Sequence, residues 1–382
     1  MTVNINKQYN RRNTPNSKDE LELNTYKYWL ASIAGIGNNR KKMLINGVQD
    51  IREIYNVNDL ERYPFLMLKD KERDVLKHAK KNWDLEEKYR ELHKKGITMT
   101  TLDMDTYPKR LQPFRDAPYA LFHKGKLPDE HRKTVAIVGA RKCSPYGEKY
   151  AREYAELLSC CDVQIISGLA MGIDGIAQRG ALDCGGDSYG ILGCGVDICY
   201  PREHIGLYHD LCKVGGVISE LPLGTQPLGM YFPMRNRIIS GLSDVIIVIE
   251  AKMRSGSLIT ADMALEQGKE VYALPGSVNS ELSRGCNELI KQGAGLLNNP
   301  EELLEELDIK LCKKCTIKDK NKIMLDTKEK LVYSCLCLEA KALDTIHKEC
   351  EIPISEIMSV VISLELKGYV REVSKNYYVK IS

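Results

Sequence analysis

From residue 134 onward the chain alternates short apolar runs, rich in valine and isoleucine, with longer stretches whose apolar residues recur at helical spacing. The runs fall at residues 135–139, 163–167, 189–193, 217–219, 245–250 and 271–274. Continuous hydrophobicity of this kind predicts strands buried on both faces, as in a parallel sheet. Helices are predicted between them at 147–159, 174–183, 202–212, 232–242 and 257–267. The repeat predicts an open, doubly wound α/β sheet, which binds ligands at the carboxyl ends of its strands.

The flanks have a different texture. Residues 1–22 are polar and predict a mobile tail, while residues 23–95 carry helical spacing, with Tyr26, Leu30, Ile33 and Ala34 on one face, and predict a small all-α domain. Gly35-Ile36-Gly37 precedes Asn38, Asn39, Arg40, Lys41 and Lys42. That turn reads equally as a phosphate-binding corner of helix-hairpin-helix type and as an ordinary packing corner. Residues 96–127 lead into the sheet domain, which extends to 310. A Lys-rich linker is predicted over 311–327. Helices at 328–339, 342–348 and 355–367, followed by a hairpin of 369–373 with 377–381, predict a winged helix over 328–382.

Length and composition narrow the function. At 382 residues, two or three domains are expected, and 55 Lys and Arg against 52 Asp and Glu leave a net charge of only +3. Any nucleic-acid surface must therefore be local. Thirteen cysteines, odd in number and with Cys160 beside Cys161, do not make a disulfide framework. Without a secretory core or a membrane-length apolar run, a cytoplasmic protein with reduced thiols is expected. Cys312-x-x-Cys315 with Cys335-x-Cys337 suggests zinc, but Cys335 and Cys337 stand two apart on a predicted helix and diverge. No metal or other cofactor is expected.

The candidate chemistry lies in four glycine- and hydroxyl-rich loops. The first strand leads into Gly139-Ala140-Arg141-Lys142-Cys143-Ser144-Pro145-Tyr146-Gly147, where backbone amides at a helix start, the Arg141 fork and the Ser144 hydroxyl suit a phosphate. The second leads into Ser167-Gly168-Leu169-Ala170-Met171-Gly172-Ile173-Asp174. Asp174 reads as a helix cap, as a hydrogen-bond acceptor or as a catalytic carboxylate. Arg235, Asn236 and Arg237 open a further helix, and at its first turn both arginines could reach one phosphate chain. Ser255, Gly256 and Ser257 open another. Neither a P-loop nor a Gly-x-Gly-x-x-Gly fingerprint occurs, which argues against an NTPase and against NAD binding.

Three long motifs resemble the DNA-processing protein A family (DprA, Smf): Gly139-Ala140-Arg141-x-x-Ser144-x-Tyr146-Gly147; Ser167-Gly168-x-Ala170-x-Gly172-Ile173-Asp174; and Phe232-Pro233-x-Arg235-Asn236-Arg237-Ile238-Ile239-Ser240-Gly241-Leu242-Ser243. The resemblance implies a Rossmann-like domain, an N-terminal SAM or helix-hairpin-helix-like domain and a C-terminal winged helix. It implies a non-enzymatic, homodimeric binder of single-stranded DNA that helps load the RecA recombinase, in transformation or repair. Its DNA pocket falls on Arg141 and its loop, on residues 167–172, and on Arg235 and Arg237. The alternative is a nucleotide-cleaving enzyme of the lysine-decarboxylase-like Rossmann group, whose Pro-Gly-Gly-x-Gly-Thr-x-x-Glu loop is replaced here by Ser255-Gly256-Ser257-Leu258-Ile259-Thr260-Ala261-Asp262, without the Glu. Glu356 and Glu365 against Lys367 make the last helix a poor groove reader, so that domain is expected to contact protein, or DNA only weakly.

Overall fold

The computed structural model describes residues 17–48, 50–56, 68–81, 83–311 and 325–381. Among the described residues five helices come first: α1 (Ser17–Ser32), α2 (Asn38–Gly47), α3 (Ile51–Tyr55), α4 (Asp70–Lys80) and α5 (Leu85–Lys94). Helix α1 starts inside the segment expected to be a tail; residues 1–16 lie outside the described residues. Trp29, Leu30, Leu44, Ile54, Leu76 and Leu92 are buried together, but their core continues into Phe122, Leu192, Val196, Tyr208 and Val217 of the sheet region. The N-terminal helices therefore share a core with one side of the sheet.

The central region runs β1 (Thr98–Thr101), β2 (Ala120–Gly125), β3 (Thr134–Val138), α6 (Pro145–Cys160), β4 (Gln164–Ser167), α7 (Ile173–Asp183) and β5 (Ser188–Ile191). It continues through α8 (Ile205–Val214), β6 (Gly216–Ser219), α9 (Tyr231–Leu242), β7 (Val245–Val248), α10 (Gly256–Glu266), β8 (Glu270–Ala273), α11 (Arg284–Lys291), β9 (Gly295–Leu296) and α12 (Pro300–Glu306). All nine strands form one sheet in the order β1-β2-β6-β5-β4-β3-β7-β8-β9. It is a mixed α/β sheet, parallel from β6 to β9. Only the two pairings of β2 are antiparallel, Met99 of β1 with Phe122 and Phe122 with Ser219 of β6. These two strands are what residues 96–127, left without strands by the apolar pattern, add to the sheet.

Chain order climbs outward from β3 to β6, then crosses over to β7 on the other side of β3. The loops after β3 and β7 consequently leave the sheet in opposite directions and open a crevice at their carboxyl ends. Separate apolar cores lie on the two faces, Ile166, Ile191, Ile238 and Val248 on one, and Ile137, Tyr154, Ile165 and Ile247 on the other.

One cysteine pair departs from the reading of wholly reduced thiols. Helices α6 and α7 pack side by side, so Cys160 at the end of α6 and Cys184 just past α7 are disulfide-bonded, with Cα atoms 6.2 Å apart. Among the described residues no cluster of three or more His, Cys, Asp or Glu could hold a metal, and Cys312 and Cys315 lie outside them. Most of the expected linker, residues 312–324, does so too. No helix among the described residues is long and apolar enough to cross a membrane.

The C-terminal region comprises α13 (Thr327–Cys335), β10 (Lys341–Ala342), α14 (Leu343–Cys350), α15 (Ile354–Leu366), β11 (Val370–Ser374) and β12 (Tyr377–Lys380). Its small sheet has three strands, since β10 pairs with β12 beside the hairpin. Val332, Ile346, Ile357, Val361, Leu364 and Val370 form its own core. Arg371 reaches Glu148 of α6 at 2.9 Å.

Candidate nucleic-acid interface

At the carboxyl ends of β3 and β4 lies a cavity of about 590 Å³. Gly139, Ala140 and Arg141 line it from the β3 loop, Ala170 and Asp174 from the β4 loop, Phe232, Pro233, Arg235 and Asn236 from α9, and Ser255, Gly256, Ser257 and Thr260 from the start of α10; Tyr200 stands at the same cavity. All four sequence-predicted segments, the start of α9 among them, thus contribute to one cavity.

The floor is built around Arg235. Its side chain is buried and donates from Nη1 to the Gly168 carbonyl at 2.7 Å and to the Ile191 carbonyl, and from Nε to Asn236 Oδ1 at 3.2 Å. Burial pushes its pKa down to about 10, with Asp174 opposing, so it stays cationic at neutral pH. Gly168 N in turn donates to Asp174 Oδ2 at 3.0 Å. Burial raises the Asp174 pKa, against the nearby Arg235 and the backbone donors of Gly168 and Ala170. Asp174 is therefore not the helix cap: α7 is entered through Gly172, whose φ of +75° favours glycine. Gly168 admits no side chain, because a Cβ there would lie 2.5 Å from Arg235 Nη1 and 2.6 Å from Asp174 Oδ2.

The mouth has a different character. Arg141 is exposed, makes no ion pair among the described residues, and holds its guanidinium 5.5 Å from the centre of the Phe232 ring. Tyr200 also contacts the Phe232 ring, centroids 5.5 Å apart and planes tilted by 38°. Asn236 Nδ2 donates to the Gly256 carbonyl at 3.1 Å and ties α9 to α10. The Ser255 and Ser257 hydroxyls lie 2.9 Å apart at the start of α10, where no side chain caps the first-turn amides. A cationic fork, aromatic faces and uncapped amides around one concave surface suit a phosphate with an attached base.

The other predicted residues lie elsewhere. Ser144 caps α6 through the Gly147 amide at 3.2 Å, and its hydroxyl donates to Glu250 Oε1 at 2.5 Å while its amide donates to Glu250 Oε2 at 2.9 Å. It is a clamp for the β3 loop. Tyr146 donates to the Pro275 carbonyl at 2.8 Å. Both line a second cavity of about 460 Å³ that faces Leu338, Glu339 and Val373 of the C-terminal region. Gly147 is pressed against Glu250, where a Cβ would come within 2.4 Å of Oε2. Ser167 is buried and donates to the Ile137 carbonyl at 2.6 Å, pinning β4 to β3.

Arg237 points away from the cavity. Helix α9 begins at Tyr231, earlier than expected, so the two arginines sit in its second turn and diverge. Arg237 pairs with Glu220 at 2.6 Å and Asp116 at 3.3 Å. Glu220 also accepts from Asn38 Nδ2 at 2.6 Å, Lys41 donates to the Ala31 carbonyl at 2.8 Å, and Arg40 pairs with Glu72 at 2.8 Å. The Gly35-Ile36-Gly37 turn is thus a packing corner against the sheet region.

The apolar pattern missed Glu250, Glu220 and the aromatic pair. Glu250 did leave a signal: it is the one charge closing the otherwise apolar run from Val245, at the carboxyl end of a buried strand.

Residues 98–308 match the family described as DNA recombination-mediator protein A. The chain is 41% identical over 283 residues to Protein Smf of Escherichia coli, covering 72% of this chain and 75% of that protein. It is 44% identical over 204 residues to DNA processing protein DprA of Streptococcus pneumoniae, covering 53% and 72%. The X-ray structure of the pneumococcal protein superposes with a TM-score of 0.61 at 34% identity, over 75% of this chain and 97% of that one. DNA processing protein A of Helicobacter pylori, whose structure is described as showing a single-stranded DNA binding mode, superposes with a TM-score of 0.51 at 29% identity, over 56% and 99%.

Proposed function

Because the chain belongs to the DNA recombination-mediator protein A family, we propose that it binds single-stranded DNA in the cavity at the carboxyl ends of β3 and β4 and acts there as a mediator without catalytic turnover. The observation that carries this reading is Arg141, exposed and with its guanidinium 5.5 Å from the centre of the Phe232 ring at the cavity mouth. Its guanidinium takes a backbone phosphate, the uncapped amides of α10 take a second, and the faces of Phe232 and Tyr200 receive bases. Arg235 keeps the floor positive from below and shapes it through Gly168.

In this proposal the strand is held for delivery to RecA by a homodimer in the cytoplasm. The parts are a helical N-terminal domain over 23–95, a Rossmann-like domain over 96–310, a linker over 311–327 and a winged helix over 328–382. The cleavage reading is weaker: Asp174 holds the Gly168 amide beneath the cavity, and three residues after Thr260 the α10 loop carries Met263 in place of the Glu that the cleaving enzymes have. Fluorescence anisotropy with a labelled dT oligonucleotide tests the binding reading. Arg141→Ala should bind at least tenfold more weakly than the parent, and equal affinity in the two would place the strand elsewhere.

A further inference from the structure

The C-terminal region packs its own core, and it meets the sheet region across a seam made of other residues. Strand β12 shows the division. Tyr378 belongs to the C-terminal core, whereas its neighbour Val379, on the opposite face of the strand, lines the seam cavity of about 460 Å³ and is buried there. Leu338, Ala340 and Val373 line the same wall. Facing them are Ser144, Pro145 and Tyr146 of the β3 loop and Glu250, just past β7. Arg371 of β11 crosses to Glu148 of α6 at 2.9 Å, with side chains 41% and 40% exposed.

Both sheet-region segments at the seam continue into the cavity that holds Arg141. The β3 loop gives Gly139, Ala140 and Arg141 to that cavity and Ser144, Pro145 and Tyr146 to the seam. The segment after β7 likewise gives Ser255 and Gly256 to the first and Glu250 to the second. At the seam the two segments are joined, because the Ser144 hydroxyl and amide donate to the Glu250 carboxylate at 2.5 and 2.9 Å.

We propose that the C-terminal region is a reversible clamp on the two loops that form the Arg141 cavity, and that its docking strengthens strand binding. The proposal rests on the reading that single-stranded DNA lies in that cavity. Docked, the wing closes over the Ser144–Glu250 junction and holds the loop that presents Arg141, so less ordering is left for the strand to impose. The coupling is reciprocal: a bound strand tightens the docking. The contact is built to release, since a cavity in the seam forfeits packing and an exposed ion pair is a weak fastener.

Charge reversal across the seam tests this in the full chain. Glu148→Arg adds positive charge beside the cavity, so attraction alone would raise affinity for a dT oligonucleotide, whereas the clamp requires a fall. Glu148→Arg and Arg371→Glu should each enlarge the radius of gyration in small-angle X-ray scattering without DNA, and each should bind dT about threefold more weakly. The double variant, with the net charge of the parent, should restore both properties. Glu148→Arg binding dT as tightly as the parent or more tightly, scattering unchanged in both single variants, or a double variant that stays open would overturn the proposal. A parent that binds no dT would defeat the underlying reading and the coupling with it, and the scattering shows separately whether the seam opens.

Discussion

Arg237 and Glu220 form an ion pair of 2.6 Å with side chains only 12% and 6% exposed, and Asn38 of the N-terminal helices shares the same carboxylate. Sequence motif alone groups Arg237 with the DNA-binding arginines, but the geometry makes it a fastener between α9, β6 and the helical N-terminus. Removing one partner leaves a buried charge alone, which costs about 3 kcal/mol. Arg237→Ala should therefore lower the thermal midpoint clearly, with dT affinity falling only as far as the folded fraction falls. Lost binding at an unchanged midpoint would instead make Arg237 a direct phosphate contact.

Gly168 sits where the Arg235 guanidinium and the Asp174 carboxylate both approach the backbone. A methyl group cannot be housed there without moving one of them, and overpacking of this kind costs about 1–3 kcal/mol. Gly168→Ala should retain the fold with a lowered midpoint and lose at least tenfold in affinity for a dT oligonucleotide, because the cavity floor is displaced. Unchanged affinity would show that the floor does not shape the binding surface.

How much of this was legible in the sequence depended on what each signal encodes. The parallel strands announced themselves because burial on both faces leaves uninterrupted apolar runs such as Val245–Val248. Strands β1 and β2 did not, since Thr98–Thr101 reads as polar and gains its place only by pairing with Phe122 and its neighbours. Glycines and arginines marked the right loops but not the division of labour within them. Ser144 looks like a phosphate ligand until Glu250, distant in sequence, is seen to occupy both its amide and its hydroxyl. Arg235 and Arg237 look equivalent until helix phase sends one under the cavity and the other toward Glu220.

The same cavity should respond to acid in a defined direction. Burial raises the Asp174 pKa above its ordinary value of 3.8. In the window between those values the folded state holds more protons than the unfolded one, so this group's contribution to stability falls as pH rises through the window. For binding, protonation removes a negative charge from beneath the phosphate site. Affinity for dT should therefore rise as pH falls through the raised pKa, beyond the change seen on a control oligonucleotide-binding surface. Asp174→Asn keeps an acceptor for the Gly168 amide and should flatten that part of the profile. An Asn variant with the parental slope would assign the titration to another group.

The C-terminal region should show the opposite sign. Glu329 caps the start of α13 through the Asp326 amide at 3.1 Å and accepts from Ser363 of α15 at 2.7 Å and from Lys367. These partners favour its charged form and hold its pKa at about 2, below the ordinary 4.5. The stabilisation is therefore complete above pH 4.5 and is lost as pH falls from 4.5 toward 2, when the carboxyl is protonated in a site built for the anion. Both tryptophans, Trp29 and Trp83, lie in the N-terminal helices, so their fluorescence does not report on this region. Hydrogen exchange of peptides from α13 and α15 does. In the parent those peptides should lose protection between pH 4.5 and 2 in excess of the intrinsic pH dependence of exchange. Glu329→Gln should already be less protected at pH 7 and show little further loss, because the acid-labile contacts are gone. Equal protection in the two proteins at pH 7 would mean that α13 and α15 are held together by their apolar core alone.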